Sequence, residues 1–128
     1  MCKTISYWTA PQPQDIEAFE EYYQQVHGRM AARVPGVQKL ELSRACDGFA
    51  GEPSSFYRVA EMYFDDREAM ERATQTPERA DLGENAGLLI ERFDVALKTG
   101  HGPVVEAQLT PNGPRPTVSD DLQALLLR

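Results

Sequence analysis

His27 is the side chain of this sequence best suited to moving protons, because imidazole titrates closest to neutral pH. It sits in DIEAFEEYYQQVHGRMAARV, residues 15–34. At about 100° per residue, Ile16, Phe19, Tyr23, Val26, Met30 and Val34 form one apolar stripe, and His27 falls inside it. A polar ring among buried neighbours needs a partner or a pocket. Two readings stay open: a hydrogen-bonded core histidine, or a general acid/base in a pocket between helix and sheet. The second requires a pKa near neutrality and an acceptor to orient the ring. Glu61, between apolar neighbours in SFYRVAEMYF, is the candidate orienting residue. A His27–Glu61 dyad could remove a proton next to a carbonyl. The competing reading of Glu61 is a cross-strand ion pair with Arg44, Arg58 or Arg92. Tyr23, one helical turn from His27, and Tyr7 are candidate substrate-binding aromatics for a flat oxygenated ring. Arg58 or Arg92 is a candidate for steadying an enolate, with plain surface charge as the alternative.

Other chemistries find less support. Cys2 and Cys46 are far apart and match no zinc spacing, and the two histidines, His27 and His101, do not cluster, so no metal is predicted. His101, in GHG, reads as part of a solvated tail. Phosphate-binding glycine loop, serine elbow and catalytic-cysteine signature are all missing, and no cofactor is expected. The net charge of -7, with no Lys/Arg cluster, argues against nucleic acid and anionic membranes as partners. No apolar run approaches the roughly 18–20 residues of a membrane span. MCKTISYWTA lacks a signal-peptide core, so the expected location is cytoplasmic.

The elements that must position His27 follow from pattern and punctuation. Lys3 to Thr9 reads as a first strand, and Pro11 and Pro13 lead into the helix, with Asp15 as its N-cap. Pro35-Gly36 stops that helix. Val37 to Arg44 alternates like a half-buried second strand, and Ser55 to Phe64 makes a third after a Gly/Pro/Asp/Ser loop. Asp65, with Glu68 three residues on, resembles a capping box for a helix that faces the sheet with Ala69, Met70 and Ala73. Thr76-Pro77 restarts the helix. Gly87 is then expected to release the chain into a fourth strand, Leu88 to Leu97. The resulting βαββαβ order predicts an α+β, ferredoxin-like domain over residues 1–98: a four-stranded antiparallel sheet with helices on one face. The uncovered face would still carry apolar side chains, so a homodimer through the sheet is expected. Residues 99–128, rich in glycine and proline, read as a C-terminal arm. Val105, Ala107 and Leu109 would add a short strand to it, and SDDLQALLLR a terminal helix.

Four stretches, FEEYYQQVHGRM, VPGVQKLELSR, FYRVAEMYFDDREAM and ADLGENAG, resemble the EthD family of the dimeric α/β-barrel superfamily, in the right order over about the first hundred residues. The resemblance implies a dimer closed through its sheets into a barrel, with helices outside. The family's founding member is associated with a bacterial fuel-ether degradation cluster. Fungal relatives resemble dehydratases or decarboxylating enzymes of polyketide pathways, and other branches of the superfamily include cofactor-free monooxygenases and haem-degrading enzymes. The implied function is a cofactor-independent enzyme, a lyase or monooxygenase, acting on an aromatic or polyketide-like carbonyl compound. The reaction would be dehydration, cyclisation or oxygenation, with His27 as acid/base. The alternatives are a non-catalytic ligand-binding or accessory dimer of a degradation pathway, and a purely structural dimer.

Overall fold

Alternation and turn residues build the sheet. In a computed structural model that describes residues 1–107, β1 (Cys2–Trp8) lies second from one edge and pairs on both sides. It runs antiparallel to β3 (Arg58–Phe64) and to β4 (Leu97–Pro103), while β2 (Lys39–Arg44) pairs antiparallel with β3. The strand order β2-β3-β1-β4 is the ferredoxin-like arrangement. Successive side chains point to opposite faces, and the register therefore sorts the residues. Cys2, Thr4, Ser6 and Trp8 share a face with Phe64, Met62, Ala60 and Arg58. Lys3, Ile5 and Tyr7 share the other with Tyr63, Glu61 and Val59.

Helices cover the first face. α1 (Ile16–Tyr22) follows a 3-10 turn, Pro13–Asp15, and leads through a π turn (Tyr23–His27) into α2 (Gly28–Ala32). The backbone N–H of Gly28 bonds to the carbonyl of Tyr23, five residues back. This wider turn corrects the drift of residues spaced four apart on an α-helix. Phe19, Tyr23, His27 and Ala31 consequently all point inward, and Val26, expected in the apolar stripe, is exposed. Gly28 permits close approach: a Cβ there would lie 3.0 Å from Leu42 Cδ1.

α3 (Arg67–Ala73) is capped by Asp66, whose carboxylate accepts from Ala69 N, so the cap is one residue later than the Asp65 box expected. α4 (Pro77–Phe93) begins at the Thr76 cap with Pro77 in its first turn and ends at Asp94, which adopts a left-handed conformation (φ 51°). Here the sequence expectation fails: LLIERF is helical, Gly87 is interior to α4, and the fourth strand is LKTGHGP rather than Leu88–Leu97. Leu82, Asn85, Leu89 and Phe93 form the buried stripe of α4, a helical period that decides against a strand. β4 also runs across the expected boundary between residues 98 and 99. The terminal helix expected at 119–128 lies outside the described residues.

Two apolar clusters form between sheet and helices. One joins Cys2, Met62 and Phe64 to Ala31, Val34, Met70, Ala73 and Leu82. The other joins Trp8 to Phe19, Tyr23, Tyr57, Leu89, Phe93 and Val95. Among the described residues, no helix is long and apolar enough to cross a membrane.

Candidate functional site

His27 emerges where the π turn meets α4. Its ring is edge-on to Trp8, with centroids 5.5 Å apart, and stacked on Tyr23 at 5.7 Å. Its Nδ1 lies 2.9 Å from Asn85 Oδ1, and the Nδ2 of that amide donates to the Tyr22 hydroxyl at 2.7 Å. With the amide oxygen facing the ring, Nδ1 is the nitrogen that donates. In the neutral ring the lone pair sits on Nε2. Burial pulls the His27 pKa below the ordinary histidine value, the bond to Asn85 opposes that shift, and the nearby charge of Arg79 adds to it.

His27 lines a cleft of about 560 Å³ on the helical side of the sheet. The floor comes from β1 and β4, whose register sets Ser6 opposite Thr99 and Thr4 opposite His101. Trp8 and Leu97, also paired across the strands, carry the floor on to His27. One wall is the face of α4 formed by Arg79, Leu82, Gly83, Ala86, Gly87 and Ile90, at the spacing of a single helical stripe. The other is α3, through Arg67, Met70, Glu71 and Thr74.

The small residues on α4 make this space. A Cβ on Gly87 would meet nothing within 4 Å, so the position faces open volume. Glycine inside a helix is about 1 kcal/mol less favourable than alanine. Gly83 and Gly87 thus keep the wall shallow at the expense of helix stability.

The structure separates the expected site residues. Glu61 lies on the face away from the helices, where it accepts from Lys3 Nζ at 2.8 Å and cannot orient His27. Asn85 holds that place. Tyr7 is on the same far face, 39% exposed and packed against Phe56. Tyr23 is fully buried behind His27 and outside the cleft lining, and burial pushes its phenol pKa up to about 12. Arg58 is buried, with Nε and Nη2 both bonded to the Glu20 carboxylate and its guanidinium over the Tyr23 ring. It is a core ion pair rather than a surface charge or a cleft residue. His101, read as tail, belongs to β4 and borders the cleft. Among the described residues, no cluster of three or more His, Cys, Asp or Glu side chains could hold a metal ion.

Sequence reasoning missed Asn85, Arg79 and the Thr4, Ser6 and Thr99 hydroxyls. Asn85 had a signal: it is the polar member of the Leu82–Asn85–Leu89–Phe93 stripe, visible once residues 77–93 are read as one helix.

The comparisons with known proteins agree with this architecture. An uncharacterised 11.0 kDa protein of the thcB-thcC intergenic region of Rhodococcus erythropolis is 31% identical over 81 residues, covering 63% of this chain and 74% of the relative. The crystal structure of an EthD family protein from Bacillus halodurans superposes with a TM-score of 0.67 at 30% identity, covering 78% of this chain and 96% of the other. SnoaB, a cofactor-independent oxygenase from Streptomyces nogalater, shares the fold at a TM-score of 0.54 and 19% identity, covering 88% of this chain and 97% of its own. The EthD domain itself matches residues 11–92, and the chain belongs to the EthD family.

Proposed function

We propose that the cleft binds a flat, largely apolar carbonyl compound and that His27 moves a proton on it without a bound cofactor. The observation that carries this reading is the Tyr22–Asn85–His27 hydrogen-bond chain, which leaves the Nε2 lone pair on a ring that lines the cleft. In the forward step Nε2 takes a proton from the carbon next to the carbonyl. The C–H electron pair forms the new C=C bond, and the carbonyl electrons move to oxygen to give an enolate. The imidazolium then returns its proton, to carbon in an isomerisation or to a departing β-hydroxyl in a dehydration, which releases water. The likeness of fold to SnoaB, a cofactor-independent oxygenase, is compatible with chemistry of this kind.

Aryl methyl ketones such as acetonaphthone, incubated with the protein in deuterium oxide, should lose their methyl proton signal by NMR faster than in buffer. A panel of such ketones that exchanges no faster with the protein than without it would overturn the catalytic reading.

Ligand binding without turnover is the second reading, and Asn85 favours it. An amide fixes the histidine tautomer but, unlike a carboxylate, brings no negative charge to hold an imidazolium.

Gly87→Leu separates a functional cleft from a packing defect. The variant should keep or gain thermal stability, because leucine is the better helix former, yet lose ketone-induced shifts of the His27 ring signals. Retained binding would show that the ligand sits elsewhere.

The protein also acts as a homodimer through the far face of the sheet in this proposal. Ile5, Tyr7, Val59 and Tyr63 line that face, and Tyr7 packs on an exposed Phe56. These side chains share the face with the Lys3–Glu61 and Lys39–Glu41 pairs, a mixture of apolar contact and paired charge that suits an interface between two copies. Light scattering should give twice the 14.3 kDa chain mass; a stable monomer at micromolar concentration would contradict it.

A further inference from the structure

The charges around the cleft run against the charge of the whole chain. The net charge is -7, yet the cleft is bordered by Arg67, Arg79 and His101, with Glu71 the one carboxylate among the lining residues. That carboxylate is already engaged, since Arg67 Nε donates to Glu71 at 2.9 Å. Arg79 differs. It is half-buried in the first turn of α4, and among the described residues no carboxylate comes within ion-pair distance of it. Its side chain folds back along the cleft wall, so that Nη1 lies 3.3 Å from where a Cβ on Gly83 would be. Glycine one turn along therefore gives the guanidinium room to lie against the helix. The charge is felt at His27, whose protonated form it disfavours.

We infer that Arg79 is the anchor for a carboxylate on the ligand, and that the cleft selects flat aromatic monocarboxylates whose apolar body lies along Leu97, Ala86 and Ile90. This rests on the reading of the same cleft as the ligand site. A guanidinium is built for such a group, because its parallel N–H donors match the two carboxylate oxygens. The Ser6 and Thr99 hydroxyls across the floor suit further oxygens on the same ligand.

The test compares naphthoate with its neutral methyl ester, titrated into the full chain and followed by the His27 ring signals and by calorimetry. Wild-type protein should bind the acid more tightly than the ester. Arg79→Gln should weaken the acid by about 10- to 100-fold, the range for a charge-assisted bond, and leave the ester unchanged. Arg79→Lys should restore part of the difference, and Arg33→Gln, exposed and outside the cleft lining, should leave it in place. Equal affinity of wild-type protein for acid and ester, with both perturbing His27, would overturn the anchor while the cleft reading stands. An equal loss for both ligands in Arg79→Gln would also overturn it, by showing a structural role. If neither compound perturbs a cleft residue, the cleft reading fails and the anchor falls with it.

Discussion

Replacing His27 with alanine is expected to slow the enolising exchange by about 10²- to 10⁴-fold, the range for loss of a positioned general base, while ligand affinity changes little. The ring contributes Nε2 to the reaction. The cleft surface is supplied mainly by the β1–β4 floor and the α4 face, which the substitution leaves in place. His27→Gln is the sharper variant, because an amide can still donate to Asn85 but cannot accept a proton near neutral pH. The rate should also report the lowered pKa. Burial, with help from Arg79, favours the neutral ring, so exchange should be level around neutrality and fall as acid protonates Nε2. Stability should move with it. As pH falls, the unfolded chain takes up the proton near the ordinary value of about 6.5, before the folded one does. The contribution of His27 to stability is therefore whole above that pH and is lost as pH falls through the folded value. Variants that bind the ketone as wild type but also exchange its protons as wild type would remove His27 from the chemistry.

The largest stability effect is expected from Glu20→Ala. Arg58 stands at the buried end of β3, and its side chain is 9% exposed, against 15% for Glu20. Removing one member of a buried ion pair leaves the other charge without compensation and typically destabilises by about 3–5 kcal/mol. Tyr23 offers its ring face to the guanidinium at 5.1 Å, which places the expected loss near the lower end, about 3 kcal/mol. For a domain of this size that lowers Tm by roughly 10–20 °C. Glu20→Leu combined with Arg58→Met should recover most of the loss, since well-packed apolar side chains often replace such a pair at little cost. Urea unfolding would measure both. A single variant within about 0.5 kcal/mol of wild type, the usual spread for surface changes, would show that water reaches Arg58 freely.

How much of this was legible in the sequence depended on local signals. β1, β2, β3 and the breaker Pro35-Gly36 follow from alternation and turn residues, and α3 from its aspartate cap. β4 carries no such signal. LKTGHGP has one β-branched residue and two glycines, and it is a strand because β1 offers it an edge along all seven residues. The end of α4 was hidden for the converse reason: the helix stops at a left-handed Asp94, while the glycine that resembles a stop faces the cleft. Glu61 was misassigned because alternation separates two faces without saying which one the helices cover. With Met62 and Phe64 turned toward the helices, Glu61 must turn away. His27 itself was legible as an inward polar ring, but its partner required the helix that the sequence seemed to break at Gly87.

Gly83 and Gly87 also give the cleft a direction of change. Glycine is already the smallest residue, so any substitution at either position narrows the space, and most would strengthen α4. Descendants of this chain that accept smaller compounds are thus one stabilising step away. Larger ones would need truncation of Leu82, Ile90 or Leu97 elsewhere in the lining, changes that give up packing or helix-forming side chains. Along the Gly83–Gly87 stripe, the cleft can change in one direction only.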